Sequence, residues 1–321
     1  MALPKSHSPL LLPIAVALLL FYAVTWRRPD YTLPGFVRGS SSPLPSAPYH
    51  LLLSIPTRED AAWLTFYLNV TTAALSGVAF TVVLSTTPAL AAVHAAAAAQ
   101  SLACGRVIFS DPFDKFAIGG DLTRAHARNL RAASAIPYTH AVLLASNALW
   151  VRAVDPLALA QLEGRARFDS LGRGRWWSSA LWAPRWVWAG AAQNDACVSA
   201  WLDRHRLEAH IAQIEGLMVG RRVLDSVLPL IEDVAAACHG ASFPHEELVF
   251  ASVCARAQSE GLGSSSFLAS VAWRSPSVVF PPGEVRSMQR DPYGPLLVKR
   301  VPRDANDEYT KGVVEWRRVQ P

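Results

Sequence analysis

From His50 onward the chain alternates short apolar runs with longer amphipathic stretches, and that alternation constrains its fold more than any other feature. "HLLLSI" reads as a buried strand, "REDAAWLTFYLNVTTAAL" as a helix and "VAFTVVLS" as the next strand. "GRVIFS" follows an Ala-rich segment at 89–103, "DLTRAHARNLRAAS" has helical period, and "HAVLLASNALWV" reads as a strand running into a polar turn. Helices between short apolar strands predict an α/β fold, a Rossmann-like, mostly parallel sheet with helices on both faces. Ligands of such sheets sit beyond the carboxyl ends of the strands. The polar residues expected there are Ser54 with Arg58, Ser85 with Thr86, Ser110 with Asp111, and Ser146 with Asn147.

Before this pattern begins, "PLLLPIAVALLLFYAVTW" runs 18 residues without a charge. That length just spans a bilayer, so 9–26 is expected to be a signal-anchor helix behind a short tail at 1–8. The alternative is a cleaved signal peptide, with Ala23-Val24-Thr25 as the nearest match to a cleavage site. Residues 27–48 are rich in Pro, Ser and Gly and read as a stem, leaving 49–321 as the folded domain. With 51% hydrophobic residues the chain has ample material for one core. Thirty basic against 25 acidic residues, with no Lys/Arg block, suits anionic small molecules and argues against a nucleic-acid partner.

Several chemistries lack their motifs. No G-x-G-x-x-G follows the first strand, no P-loop occurs, and no D-x-D is present to hold a divalent ion against a diphosphate. His205 and His210 are five apart, which misses helical zinc spacing, and Cys104, Cys197, Cys238 and Cys254 contain no C-x-x-C and allow three complete pairings. No metal and no cofactor is expected. An N-x-T sequon at Asn69 is compatible with a lumenal domain. "RWWSSALWAPRWVW" carries Trp176, Trp177, Trp182, Trp186 and Trp188, whose indole faces suit either a sugar or a core, with Arg175 and Arg185 as stacking partners.

A helix with Leu224, Val227, Leu228, Ile231 and Val234 on one face is expected to end near Gly240, and "FPHEELVFASVC" follows. Ser242 could cap a new helix and Pro244 fits its first turn. Glu246 and Glu247 then lie where the helix macrodipole favours carboxylates. His245 is expected at the surface or in a local hydrogen bond. On this pattern alone, two acids opening a helix and two acids in an active site are both open readings.

"PHEELVFAS" has the form P-x-E-E-apolar-x-aromatic-x-[ST] and resembles the catalytic segment of the core-2/I-branching family of β-glycosyltransferases, which includes xylosyltransferase and plant relatives. "THAVLLASNALWVR", "QIEGLMVGRRVL" and "LLVKRVPRD" appear in that family's order, so the resemblance covers roughly residues 49–304. It implies a GT-A-type fold and an inverting, metal-independent transferase, anchored in the Golgi membrane as a single-pass type II protein. Its donor would be a UDP-sugar, UDP-GlcNAc or UDP-xylose, and its acceptor a hydroxyl of a glycan or glycoprotein.

By matching Phe250 and Ser252 to the family's aromatic and hydroxyl, Glu247 becomes the general base, with Glu246 as the alternative. Lys299 matches a phosphate-binding lysine and Arg286 more loosely an arginine, while Arg300 and Arg303 extend the basic group. Ser54, Asp111, Asn147, Glu215 and Gly216 complete the expected substrate-binding set. Where the family commonly has an acid near the end of the second strand, this chain has Ser85 and Thr86. A catalytically inactive carbohydrate-binding protein on the same fold is therefore the second reading. A glycoside hydrolase is the third, but its two carboxylates must flank a bond at about 5 to 9.5 Å, and adjacent glutamates on one turn diverge.

Expressed in a secretory cell, the full chain should stay with membranes after carbonate extraction, whereas a chain starting near Ser40 should be soluble. Full-length product in the medium, with a new N-terminus near residue 26, would establish a cleaved signal instead.

Overall fold

The computed structural model describes residues 49–101, 106–112, 120–172, 186, 188–238, 243–271, 280–291, 294–299 and 301–318. The first half runs β1 (His50–Pro56), α1 (Ala61–Ala74), β2 (Ala79–Ser85), α2 (Ala91–Ser101), β3 (Arg106–Phe109), α3 (Gly120–Ala132), β4 (His140–Leu143), β5 (Ala148–Trp150), α4 (Pro156–Leu162) and β6 (Asp169–Gly172). It continues through α5 (Ala189–Gln193), α6 (Ala196–Arg204), β7 (Ala209–Ile211), β8 (Leu217–Gly220), α7 (Arg221–Ala237) and α8 (His245–Ser259). The last elements are β9 (Ser265–Phe267), β10 (Ala269–Val271), α9 (Pro282–Arg290), β11 (Leu297–Lys299) and α10 (Glu308–Val313). The proposed anchor at 9–26 and the stem at 27–48 lie outside the described residues. Among the described residues no helix is long and apolar enough to cross a membrane.

The central sheet has the order β3-β2-β1-β4-β8-β9. Its first four strands are mutually parallel, while β8 runs antiparallel to β4 and β9 antiparallel to β8. The strands are apolar on both faces because both faces are covered. Leu51, Leu53 and Ile55 of β1 join Val82, Leu84, Val142 and Met218 in one core with Trp63, Leu64, Tyr67 and Leu68 of α1. Leu52 joins Val83, Ala141, Leu143, Leu217 and Val219 in the other, against Leu130 of α3, Leu224, Val227 and Ile231 of α7, and Leu248 and Phe250 of α8. The period of two along each strand feeds both layers. Each such side chain, once buried, contributes about 1.5 to 3 kcal/mol.

Helix ends follow local chemistry. The Asp60 carboxylate accepts from the Trp63 backbone at 2.7 Å to start α1, and Asp195 accepts from Val198 at 2.9 Å to start α6. Cys197, in the first turn of α6, is disulfide-bonded to Cys238 just beyond α7, with Cα atoms 5.7 Å apart. Closing a loop of that length contributes about 4 kcal/mol by chain-entropy reasoning. Cys254 is buried and free, and Cys104 lies outside the described residues.

Two elements differ from the sequence reading. "HAVLLASNALWV" is divided, since β4 lies in the central sheet whereas β5 pairs antiparallel with β11 in a separate three-stranded sheet, β10-β11-β5. The polar Ala145-Ser146-Asn147 turn makes the break. The residues of "QIEGLMVGRRVL" form a strand, β8, before the helix begins, because Leu217, Met218 and Val219 find an open sheet edge at β4. The following helix does carry the expected apolar face and stops at Ala237.

The antiparallel register pairs Leu143 with Leu217, so the residues just before β8 reach the edge where the parallel strands end. Gly216 makes that junction, with its N–H on the Leu143 carbonyl at 2.7 Å and its carbonyl accepting from Leu268 at 2.8 Å. Its φ is +78°, and a Cβ there would lie 2.6 Å from the Ala269 Cβ and 2.7 Å from its nitrogen. Gly216→Ala should therefore cost roughly 2 to 4 kcal/mol, combining positive-φ strain with backbone displacement. Equilibrium denaturation checks this, and a change under 1 kcal/mol would contradict the geometry.

Candidate active site

Helix α8 begins at His245 with Pro244 in the capping position, so the helix starts two residues later than a Ser242 cap would give, and Ser242 lies outside the described residues. Among the described residues no side chain caps this end. Glu246 and Glu247 occupy the first turn, where exposed N–H groups and the macrodipole favour negative charge. The helix is latched to β7, as the Glu247 carbonyl accepts from Ala212 N–H at 3.0 Å and Ser252 Oγ accepts from His210 N–H at 2.9 Å. Phe250 is buried and meets His126 edge-on, with ring centroids 5.9 Å apart.

The structure brings four predicted residues together at the carboxyl edge of the parallel strands. Glu215 precedes β8, Lys299 ends β11, and Glu246 and Glu247 open α8. All three carboxylates are almost wholly buried. The Lys299 ammonium donates to Glu215 Oε1, and Gln213 Nε2 donates to Glu215 Oε2. Burial alone would raise the Glu215 carboxyl, but the charge and hydrogen bond of Lys299, with Gln213, hold it below the usual range. Glu246 goes the other way. Burial pushes it up to about 8, the charges of Glu215 and Glu247 add to this, and a backbone hydrogen bond and Lys299 only partly oppose it. Its Oε2 is buried with no hydrogen-bond partner among the described residues. Glu247 accepts at Oε2 from the Trp186 indole N–H at 2.7 Å.

The remaining predicted residues are placed variously. Asn147 adjoins Lys299, because Ala148 pairs with Lys299 and the Asn147 carbonyl accepts from Val301 at 3.1 Å; its Oδ1 is buried and unpartnered. Arg303 forms an ion pair with Glu59 at 2.7 Å, and Ser146 Oγ donates to the same Glu59 oxygen at 2.7 Å. Ser54 is fully buried, with its hydroxyl 2.8 Å from His126 Nδ1. Asp111 is exposed in a cleft of about 500 Å³ with Arg124, Arg128 and Arg131 of α3 and Glu232 of α7, a lining that shares no residue with the carboxylate group. Arg286 is exposed in a small groove with Glu308 and Tyr309, and no contact between it and the carboxylates is found among the described residues. Arg300 lies outside the described residues, as do Arg175, Arg185, Trp176, Trp177 and Trp182.

His245 corrects an expectation. It is buried, packed on Phe243 at 4.6 Å between ring centroids, with Nε2 3.6 Å from Asp195. A local apolar pocket rather than solvent receives it, and that burial lowers its pKa.

Sequence reasoning missed Glu59, His126, Asn129 and the role of Trp186. Asn129 is a hub: Nδ2 donates to Ser54 Oγ and the Val83 carbonyl, both at 3.1 Å, and Oδ1 accepts from Ser85 at 2.7 Å and Ser110 at 2.6 Å. Ser54 Oγ accepts from Asn129 and shares a further hydrogen bond with His126 Nδ1 at 2.8 Å, which ties that imidazole to the same network. Burial holds His126 neutral, with a pKa lowered to about 4 against the opposing charge of Glu215. The available signal was three polar residues at a spacing of three, Thr123, His126 and Asn129, among the buried positions of α3.

Among the described residues the arrangement offers one cation, Lys299, among three acids, with the Glu246 carboxyl pushed up to about 8 and Glu247 accepting from an indole. Among the described residues no group of three or more His, Cys, Asp or Glu is disposed to hold a metal ion. Comparison with protein-family models found no match, and neither did a search of curated proteins.

Between pH 4.5 and about 8 the folded protein holds a proton on Glu246 that the unfolded chain has released. This contribution to stability is full below pH 4.5 and is lost as pH rises through 8. Glu246→Gln removes that dependence, so its melting temperature relative to the parent should rise from pH 5 to pH 9. The difference should amount to on the order of a few kcal/mol. A constant difference across that range would place Glu246 in a solvated or cation-paired setting.

Proposed function

We propose that the protein is an inverting, metal-independent glycosyltransferase with a GT-A-type catalytic domain, moving a sugar from a UDP-sugar to a glycan or glycoprotein hydroxyl. The observation that carries the reading is the joint placement of Glu247 and Lys299 at the carboxyl edge of the parallel strands. A general base and a phosphate-binding cation are the two groups such a reaction needs from the protein. Glu247 takes the proton of the acceptor hydroxyl as it attacks the anomeric carbon, a role worth roughly 100- to 10,000-fold. Lys299 stabilises the charge that accumulates on the departing nucleoside diphosphate in a partly desolvated site. Its pairing with Glu215 means that an arriving diphosphate exchanges for a carboxylate rather than for water. Asn147 lies beside the same strand with an open acceptor.

The Cys197–Cys238 disulfide supports a secretory-pathway compartment, since such bonds persist where thiols are oxidised. With the expected anchor at 9–26, this leads to a Golgi membrane protein whose folded domain is lumenal. UDP-GlcNAc and UDP-xylose are the proposed donors.

One observation favours the second reading, an inactive carbohydrate-binding protein. The strand-end hydroxyls of Ser54, Ser85 and Ser110, which would otherwise face a nucleoside, are engaged by His126 and Asn129. Donor turnover separates the two. The purified protein should bind UDP in EDTA and release it from one nucleotide sugar. Glu247→Gln should lower turnover at least 100-fold while UDP affinity changes little, and Glu246→Gln, which mimics the neutral acid, should be mild. A strict manganese requirement would overturn the metal-independent reading, and UDP binding without turnover of any donor would favour the inactive protein.

A further inference from the structure

Glu246 and Glu247 are adjacent carboxylates buried in one cluster, yet a base must be charged and aimed. Successive residues on a helix diverge by about 100°, so the two side chains meet different surroundings. Glu246 turns toward Glu215 and Lys299, where its Oε2 has no hydrogen-bond partner among the described residues. Glu247 turns toward Trp186, which is itself buried and locked edge-on against Phe243, ring centroids 5.8 Å apart. Phe243 precedes α8 by two residues, so the indole is braced by the same segment that presents the carboxylate. An indole N–H only donates, and a donor at 2.7 Å stabilises the charged over the neutral form of a carboxyl.

We propose that Trp186 is the positioning residue for the base, its indole N–H fixing the orientation of Glu247 and selecting it, rather than Glu246, as the charged member of the pair. This rests on the glycosyl-transfer reading for its catalytic consequence, but the coupling between indole and carboxylate does not. Two neighbouring acids in one low-dielectric site resist simultaneous ionisation, so whichever has the better donor loses its proton first. Trp186 supplies that donor to Glu247. Among the described residues, the charged and titratable groups around the pair include Glu215 and Lys299, with His126 near Glu215 and the His245–Asp195 contact at the helix start.

The coupling can be read without turnover. In the full-length chain labelled with ¹⁵N at the indole nitrogens, the Trp186 resonance, assigned by its loss in Trp186→Phe, should move with pH as Glu247 titrates. Glu247→Gln should abolish that movement, and Glu246→Gln should preserve it. A Trp186 resonance that does not respond to pH, or that still titrates in Glu247→Gln, would overturn the proposal.

The kinetic arm uses whichever donor the protein turns over. Trp186→Phe keeps the ring and removes the donor, so kcat should fall roughly 10- to 100-fold, the range for one hydrogen bond to a charged group. KM for the donor should stay within about twofold, and the acidic limb of the kcat profile should move to higher pH. Unchanged kcat, or a change in KM alone, would overturn the positioning role. An indole that titrates with Glu247 in a protein that turns over no donor would instead sink the glycosyltransferase reading and leave the coupling standing.

Discussion

The ion pair between Lys299 and Glu215 is the interaction on which the site depends. Three carboxylates almost wholly removed from water at one sheet edge would repel one another and could not all ionise. The ammonium at the end of β11 offsets one of them. Glu246 keeps its proton, and the Trp186 indole serves Glu247. Each acid is thereby given a separate electrostatic solution, and the groups that deliver those solutions come from distant parts of the chain: β11, the segment before β8, the start of α8 and Trp186.

Asn129 has a comparable part in the fold below the site. The ends of β1, β2 and β3 each present a serine, and buried hydroxyls need partners. One amide with two donors and two acceptor positions meets Ser54, Ser85, Ser110 and the Val83 carbonyl. Helix α3 is thus fixed to three strands by polar bonds as well as by Leu130. The cost is that these hydroxyls are spent on structure, which moves the candidate ligand-binding groups toward β5, β8 and β11.

Much of the sheet was legible in the sequence because a strand covered on both faces must be apolar throughout, as "HLLLSI" and "AFTVVLS" are. The break between β4 and β5 was not, since an apolar run shows no change of sheet; only the pairing of Ala148 with Lys299 reveals it. The resemblance carried by short motifs singled out Glu215, Glu246, Glu247 and Lys299, which the structure places near one another. Asn129, His126 and Glu59 were not singled out. A polar residue on the apolar face of a helix gains meaning only when the strand ends it serves are known. Trp186 was visible as one tryptophan among five in a short stretch, but nothing in that run shows that its indole meets a carboxylate. Arg286 and Asp111, singled out in the same way, lie in grooves apart from the carboxylate group.

The position of β11 late in the chain has a consequence for biosynthesis. During translation Glu215, Glu246 and Glu247 emerge well before Lys299, and the sheet that receives them can begin to form without its cation. Until the last strand arrives, the nascent domain holds three acids at an edge with no lysine to balance them. Such a state is less stable at neutral pH than in a mildly acidic medium, where protons can stand in for the missing charge. Assembly of the site is therefore coupled to synthesis of β11, and a chain ending before residue 299 retains the acids of the centre while lacking the ammonium that pairs with Glu215.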